Sequence, residues 1–156
     1  MSFSIEIDCS VSALRMFNLA LHGLHLIGHE ILPDVIKSAS TIHVDGGVGS
    51  IRHIIFTPGF PFPYMKERLD FLDAVNFELR QSLVEGISLG TKLESASWCF
   101  KFIPINNGKS VFKMTTTYKL LTGVQLSDEE EKVKEMITGI IKACDDYLLA
   151  NPNVCV

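Results

Sequence analysis

The sequence lacks the features of a membrane, secreted or nucleic-acid-binding protein. No apolar run approaches the roughly 18 residues that a membrane-spanning helix needs, and the N-terminal MSFSIEIDCS shows neither part of a secretory signal. The four cysteines are scattered without a C-x-x-C pair, which is typical of reduced thiols. A formal net charge of −4 disfavours nucleic acid as a partner. We therefore expect a cytoplasmic protein, with the nucleus as the alternative location, and no membrane partner.

The chain reads as a single domain over residues 1–156, because no linker or repeat divides it and 47% of its residues are hydrophobic. Apolar and polar residues alternate over residues 2–9, which predicts a half-buried strand. Residues 13–31 predict two short helices with a break at the glycines. Six further strands are predicted, in the segments 40–44, 50–56, PFPYMKERLDFLD, NFELRQSLVEG, LESASWCFKFIPI and SVFKMTTTYKLL.

The C-terminal segment changes to helical spacing. Apolar residues recur three and four apart from Val133 to Leu148, Ser127 and Glu130 suggest a capping box, and Asn151-Pro152 ends the pattern. A helix over residues 127–150 would be about 36 Å long. Strands segregated from helices indicate an α+β fold, in which a seven-stranded antiparallel sheet buries one face against this helix.

Several short motifs, in this order, resemble the plant pathogenesis-related class 10 family, which includes the major birch pollen allergen and belongs to the Bet v 1 superfamily. They are DGGVG at 45–49, PGFPF at 58–62, EG at 85–86, LE at 93–94 and YLLANP at 147–152. The resemblance covers essentially the whole chain. It implies a START-like, helix-grip domain, in which a curved sheet around the long helix encloses an apolar cavity.

The resemblance also implies a function and a ligand class. Such a protein would carry, store or sense small hydrophobic plant molecules in defence or hormone signalling. Cytokinins, abscisic-acid-like terpenoids, flavonoids, alkaloids and sterols are the implied ligands. We expect no cofactor, and a monomer or weak dimer.

The candidate ligand-binding residues combine this implied cavity with strand alternation, which puts Trp98, Phe100 and Phe102 on one face of their strand and Lys101 on the other. Gln81 and Tyr64 would be polar anchors in an apolar pocket. On the last strand, either Phe112 and Met114 or the alternate residues Lys113 and Thr115 face inward. An ordinary packed core uses the same residue types and is the alternative interpretation. The full predicted set is Ile36, Phe56, Phe62, Tyr64, Leu79, Gln81, Trp98, Phe100, Met136, Ile137 and Ile140.

Two other patterns favour structural explanations. The glycine-rich loop, with Gly46, Gly47 and Gly49, lacks the Lys-Ser/Thr and following helix of a phosphate-binding loop, so we assign its glycines to backbone geometry. Three histidines have a spacing that could hold a metal on one helix face, but glycines interrupt the run and we expect no metal. They are His22, His25 and His29.

Enzymes known in the family supply the alternative function. Norcoclaurine synthase needs a Tyr, Glu, Lys and Asp together; an ungapped alignment retains Tyr64 but places Lys66, Leu79 and Trp98 at the other positions. We therefore predict no catalytic residues of that kind. A different cavity reaction, using Tyr64 with Lys66 or Lys113, is the alternative function.

Ribonuclease activity and phosphatase inhibition are the remaining activities that the family suggests. The ribonuclease positions would be Arg52, Glu94, Asp145 and Tyr147, but the chain is acidic and we expect Glu94 and Asp145 to be surface carboxylates. The segment PGFP at 58–61 matches the gate loops of phosphatase-inhibiting receptors only loosely.

Overall fold

The computed structural model describes residues 1–43 and 47–156. Residues 44–46, which include Gly46 of the predicted glycine-rich loop, lie outside the described residues. Within the part of the chain that is described, no helix is long and apolar enough to cross a membrane.

The fold is a seven-stranded antiparallel sheet with a long C-terminal helix, which confirms the predicted fold class. The strand order is β1-β7-β6-β5-β4-β3-β2, so β1 pairs with the last strand and every other pair is consecutive in the chain. The elements are β1 (Ser2–Cys9), α1 (Ala13–Asn18), a π-helical segment (Leu19–Gly23), α2 (Leu24–Ile31), β2 (Ile36–His43), β3 (Ile51–Phe56), β4 (Tyr64–Asp73), β5 (Glu78–Gly86), β6 (Leu93–Pro104), a 3₁₀ turn (Asn106–Gly108), β7 (Ser110–Leu120) and α3 (Glu129–Ala150).

The predicted break between the two short helices is a widened helical turn. The π-helical segment joins α1 to α2 without an extended residue between them. Glycine at position 28 instead permits close packing, because a Cβ atom there would lie 3.2 Å from Cδ1 of Ile36 on β2. Gly28 therefore permits the close approach of α2 to the sheet, and it does not end the helix.

The concave face of the sheet is defined by alternate residues of β6 and β7. On β6, Phe102 is 1% exposed whereas Lys101 is exposed, as the alternation predicts. On β7, Phe112 and Met114 are buried whereas Lys113 is exposed. The structure thus resolves the alternative that the sequence leaves open, and Phe112 and Met114 face inward.

The start of α3 differs from the predicted capping box. Asp128 is the N-cap residue and its side chain makes no capping hydrogen bond. The Ser127 hydroxyl donates instead to Glu129 (2.9 Å), and Glu130 accepts a hydrogen bond from the Tyr118 hydroxyl (2.8 Å). Because Glu130 is held by β7, it is not available to close a box with Ser127, and the helix start is fastened to the sheet.

The end of α3 is held by a buried carboxylate. Asp145 accepts hydrogen bonds from the backbone N–H of Ser10 (2.9 Å) and of Val11 (3.1 Å), just after β1. It is 8% exposed, so the prediction of a surface carboxylate is wrong. Arg15 of α1 donates to the carbonyl oxygens of three residues around the helix terminus, where a cation is favourable. These residues are Leu148, Asn151 and Val154.

Replacing the buried carboxylate tests this attachment. Asp145→Asn should lower the free energy of unfolding by about 1.5–3 kcal/mol, because it removes charge-assisted bonds to two backbone N–H groups. The next residue, Asp146, is exposed and provides the matched control. Asp146→Asn should change the free energy by less than about 0.5 kcal/mol. Urea unfolding of both variants measures the difference, and equal midpoints would contradict the assignment.

Candidate ligand-binding site

One end of the concave face is a closed, packed core. Leu79 of β5 and Phe102 of β6 are each 1% exposed, and Phe112 of β7 and Leu148 of α3 have no exposed surface. The ring of Phe112 lies 5.3 Å from that of Phe102, centroid to centroid. Leu79 belongs to the predicted ligand-binding set, but here it is part of the floor of the core.

Further along the same face, apolar residues are buried only in part. Trp98 and Phe100 of β6, and Ile137, Ile140 and Ile141 of α3, all pack against the core while keeping some exposed surface. The helix packs mainly against β1, α1 and α2. We call the region that these five residues border the gap. Its walls are apolar side chains that the fold leaves incompletely covered.

A row of polar side chains crosses the concave face beside the gap. Arg52 Nε donates to Glu67 Oε1 (2.6 Å), and Gln81 Nε2 donates to the same oxygen (3.1 Å). Trp98 Nε1 donates to Gln81 Oε1 (2.8 Å), while Arg52 also donates to the carbonyl oxygen of Ala20 (2.9 Å). We call Arg52, Glu67, Gln81 and Trp98 the concave network. It links β3, β4, β5 and β6 and fixes the orientation of the indole.

The charges of the concave network cancel within it. Arg52 is 9% exposed and Glu67 is 2% exposed, so each needs the other as a counter-ion in a poorly hydrated site. The imidazole of His25 on α2 lies near this pair, and burial, followed by repulsion from Arg52 and His22, lowers its pKa. His25 is therefore neutral at neutral pH, and the region carries no net charge from these three groups.

The predicted site residues fall into distinct groups. Gln81, Trp98 and Phe100 lie on the concave face, and Ile137 and Ile140 of α3 pack against the same apolar core. Met136 is partly buried but lies outside the apolar cluster that the described residues form. Four of the predicted residues therefore pack against one apolar core: Trp98, Phe100, Ile137 and Ile140.

Three other predicted residues belong to neighbouring clusters. Ile36 is buried beneath α2. Phe56 stacks on Phe60, with ring centroids 4.3 Å apart, and Phe60 in turn contacts Phe62 at 6.4 Å. Sequence reasoning did not single out Phe60, although its spacing from Phe62 was a usable signal.

The prediction that Tyr64 faces inward is wrong. Its hydroxyl donates to Glu85 (2.7 Å), a bond that raises the pKa of Tyr64, and its ring contacts that of His53. With Lys66 these residues line a surface depression of about 360 Å³ on the convex face. The inward-facing residues of β4 are the odd-numbered ones, on the same face as Ile54 of β3. They are Glu67 and Leu69, which are buried, and Met65, which is partly buried.

The residues considered for ribonuclease chemistry have separate partners. Arg52 belongs to the concave network and Asp145 binds the backbone after β1. Glu94 is exposed and pairs with Lys119 (2.9 Å), and Tyr147 contacts Glu30 (3.4 Å). The structure does not assemble these groups around one point.

The remaining two patterns show no chemical centre among the described residues. Gly49 has φ of +93° and its N–H donates to the carbonyl oxygen of Leu69 (2.7 Å), so this part of the glycine-rich loop is a backbone turn joined to β4. Within residues 1–43 and 47–156, no three His, Cys, Asp or Glu side chains are grouped as metal ligands. His22 and His29 are exposed.

A mutant cycle tests the buried ion pair. Arg52→Met should lower the free energy of unfolding by about 3–5 kcal/mol, because it leaves Glu67 charged and buried without a counter-ion. Combining it with Glu67→Leu should recover most of that loss, since both charges are then gone. The exposed pair Glu94 and Lys119 is the control, with an expected coupling of about 0–1 kcal/mol. Additive effects at Arg52 and Glu67 would contradict the buried pair.

Comparisons with known proteins agree with the fold and with the motifs. The chain is 48% identical over 156 residues to pathogenesis-related protein 1 of Asparagus officinalis, covering 99% of this chain and 98% of that protein. It is 35% identical over 153 residues to a probable intracellular pathogenesis-related protein, T1, of Catharanthus roseus, covering 97% of each.

Solved structures show the same fold. Ara h 8.0201 superposes with a TM-score of 0.82 at 22% identity, covering 96% of this chain and 98% of that one. Norcoclaurine synthase from Thalictrum flavum gives a TM-score of 0.79 at 22% identity, covering 96% and 86%. At this identity the likeness concerns the fold alone. Residues 1–151 match the model of the pathogenesis-related protein Bet v 1 family, and the chain belongs to that family.

Proposed function

We propose that this protein binds a small hydrophobic molecule in the gap between the concave face and α3. The observation that carries the proposal is the incomplete burial of five apolar side chains that pack against one core: Trp98 and Phe100 on β6, and Ile137, Ile140 and Ile141 on α3. Apolar surface left uncovered inside a fold is stabilised when an apolar ligand covers it. Membership of the Bet v 1 family supports a general role in ligand binding.

The apolar area of the ligand that becomes buried sets the expected affinity. Covering about 300 Å² of apolar ligand surface would contribute roughly 7 kcal/mol. Ordering the ligand opposes this gain, so polar contacts must help to reach micromolar binding, about −8 kcal/mol. The amide of Gln81 already bonds to Glu67 and Trp98. Its role in this proposal is to orient the indole that contacts the ligand.

The proposed ligands are plant molecules with flat or fused apolar bodies, such as a cytokinin or a flavonoid. The rings of Trp98 and Phe100 suit such shapes. The protein would carry, store or sense them in the cytoplasm during defence or hormone signalling. Relatives named as pathogenesis-related, one of them as intracellular, support this setting.

The residues that the enzymatic alternative requires do not lie on the concave face. Tyr64 and Lys66 lie on the convex face beside Glu85, and Lys113 is exposed and 3.9 Å from Glu6. The carboxylate that does lie on the concave face, Glu67, is bound by Arg52. Binding without turnover is therefore the function that these positions favour.

Filling the gap with a larger side chain tests the proposal. The wild-type protein should bind an anilinonaphthalene dye at micromolar concentration, with a change in the fluorescence of Trp98, its single tryptophan. Ile140→Phe should weaken dye binding about tenfold by occupying the space, while its melting temperature stays near that of the wild type. Lys142→Phe, at an exposed position of the same helix, should bind the dye as the wild type does.

A filled core would give the opposite result. If side chains already occupied the gap, Ile140→Phe would overpack it and lower the free energy of unfolding by about 1–3 kcal/mol. Failure of the folded wild-type protein to bind the dye, a cytokinin or a flavonoid would reject the proposed function.

A further inference from the structure

Two buried polar side-chain atoms of the described residues have no hydrogen-bond partner: Nδ1 of His25 and Oγ1 of Thr116. Thr116 is the more deeply buried residue, at 8% exposed, and it lies on the concave side of β7 between the buried residues Met114 and Tyr118. A buried hydroxyl without a partner is unfavourable, because it has lost water and gained nothing in exchange. Such an atom therefore needs an explanation.

The side chains around Thr116 are aromatic or already bonded. In the strand register, Phe3 of β1 lies opposite it on one side and Trp98 of β6 on the other. The indole N–H of Trp98 donates to Gln81, and the hydroxyl of Tyr118 donates to Glu130. The neighbouring polar groups thus have their own partners, and the Thr116 hydroxyl stands alone beside the gap.

The adjacent residue, Thr115, has a hydrogen-bond partner for its hydroxyl. Thr115 points to the convex face, where its hydroxyl lies 3.3 Å from that of Ser4 on β1. Thr116 has no such neighbour because the residue opposite it on β1 is a phenylalanine. A ligand in the gap, which Trp98 borders, could supply the partner that Thr116 lacks within the protein.

We propose that Thr116 is the polar anchor of the gap and selects ligands that carry an uncharged oxygen, a hydroxyl or a carbonyl, on an apolar body. This inference rests on the proposed function and names the ligand chemistry of the same site. Its hydroxyl can donate a hydrogen bond to a carbonyl, and it can either donate to or accept from another hydroxyl. Because Oγ1 is covered, the ligand reaches it by displacing an adaptable neighbour, and the flexible thioether of Met114 is suited to that movement.

Charged ligands fit this site poorly. Two charged pairs contact the neighbours of Thr116. Arg52 and Glu67 are linked to Trp98 through Gln81, and Lys134 and Glu130 contact Phe3 and Tyr118. A carboxylate or ammonium group placed beside Thr116 would leave water without gaining a free counter-ion, which is costly in an apolar site. The anchor therefore discriminates neutral oxygenated molecules from both plain hydrocarbons and ions.

Three probes of one shape test the proposal: naphthalene, 2-naphthol and 2-naphthoate. The wild-type protein should bind 2-naphthol at least fivefold more tightly than naphthalene, and 2-naphthoate the most weakly of the three. Thr116→Val keeps the side-chain shape and removes the hydroxyl. It should weaken 2-naphthol binding about five- to tenfold, the size of one net hydrogen bond, and leave naphthalene binding within about twofold. Thr116→Ser should retain the preference.

The controls separate this inference from the proposed function. Thr115→Val removes a hydroxyl from the convex face and should leave all three affinities unchanged. The melting temperature of Thr116→Val should equal or exceed that of the wild type, because it loses an unpaired buried hydroxyl. Equal losses for naphthalene and 2-naphthol, or no loss for 2-naphthol, would overturn the anchor while leaving the gap in place. Failure of the wild-type protein to bind any probe would overturn the proposed function itself.

Discussion

A carboxylate buried between the C-terminal helix and the chain that follows β1 is the contact on which the architecture depends. Asp145 accepts hydrogen bonds from two consecutive backbone N–H groups that would otherwise lack partners at the bend between β1 and α1. Tyr118 and Glu130 hold the other end of the helix. A helix fixed near both ends can keep its middle turns away from the sheet. Ile137, Ile140 and Ile141, which border the proposed ligand site, lie between these two attachments along α3.

The concave network solves a second problem, which is how to orient an aromatic ring in an apolar site. An indole without a partner for its N–H would be costly there, and a lone carboxylate or guanidinium still more so. In the row formed by Arg52, Glu67, Gln81 and Trp98, each side chain has a hydrogen-bond partner, and each bond restricts the side-chain rotamers of both partners. The row also reaches Ala20 in the π-helical segment, so the orientation of the ring and the geometry of the first helices are set together.

Simple alternation was enough to predict much of the fold and part of the site. It placed Phe102 inward and Lys101 outward, because one side of β6 is clearly apolar. It failed on β4, where consecutive charged residues obscure the period and the aromatic ring of Tyr64 suggested the wrong face. The inward carboxylate, Glu67, is stabilised by a partner on another strand, which no local pattern reveals. The burial of Asp145 was predictable, since it occupies the apolar stripe of α3. Its partners were not predictable, because they are backbone N–H groups, which every residue type except proline carries.

The strand order has a consequence for synthesis of the chain. β1 is made first, yet its neighbour in the sheet is β7, and the paired residues Ser4 and Thr115 are 111 positions apart. At roughly 5–20 residues per second on the ribosome, β1 waits about 6–22 s after its own synthesis for its partner. During that interval its alternating apolar residues have no sheet edge to join. The nascent protein thus passes through a stage at which the first strand is open to pairing with other chains, and the last strand ends that exposure.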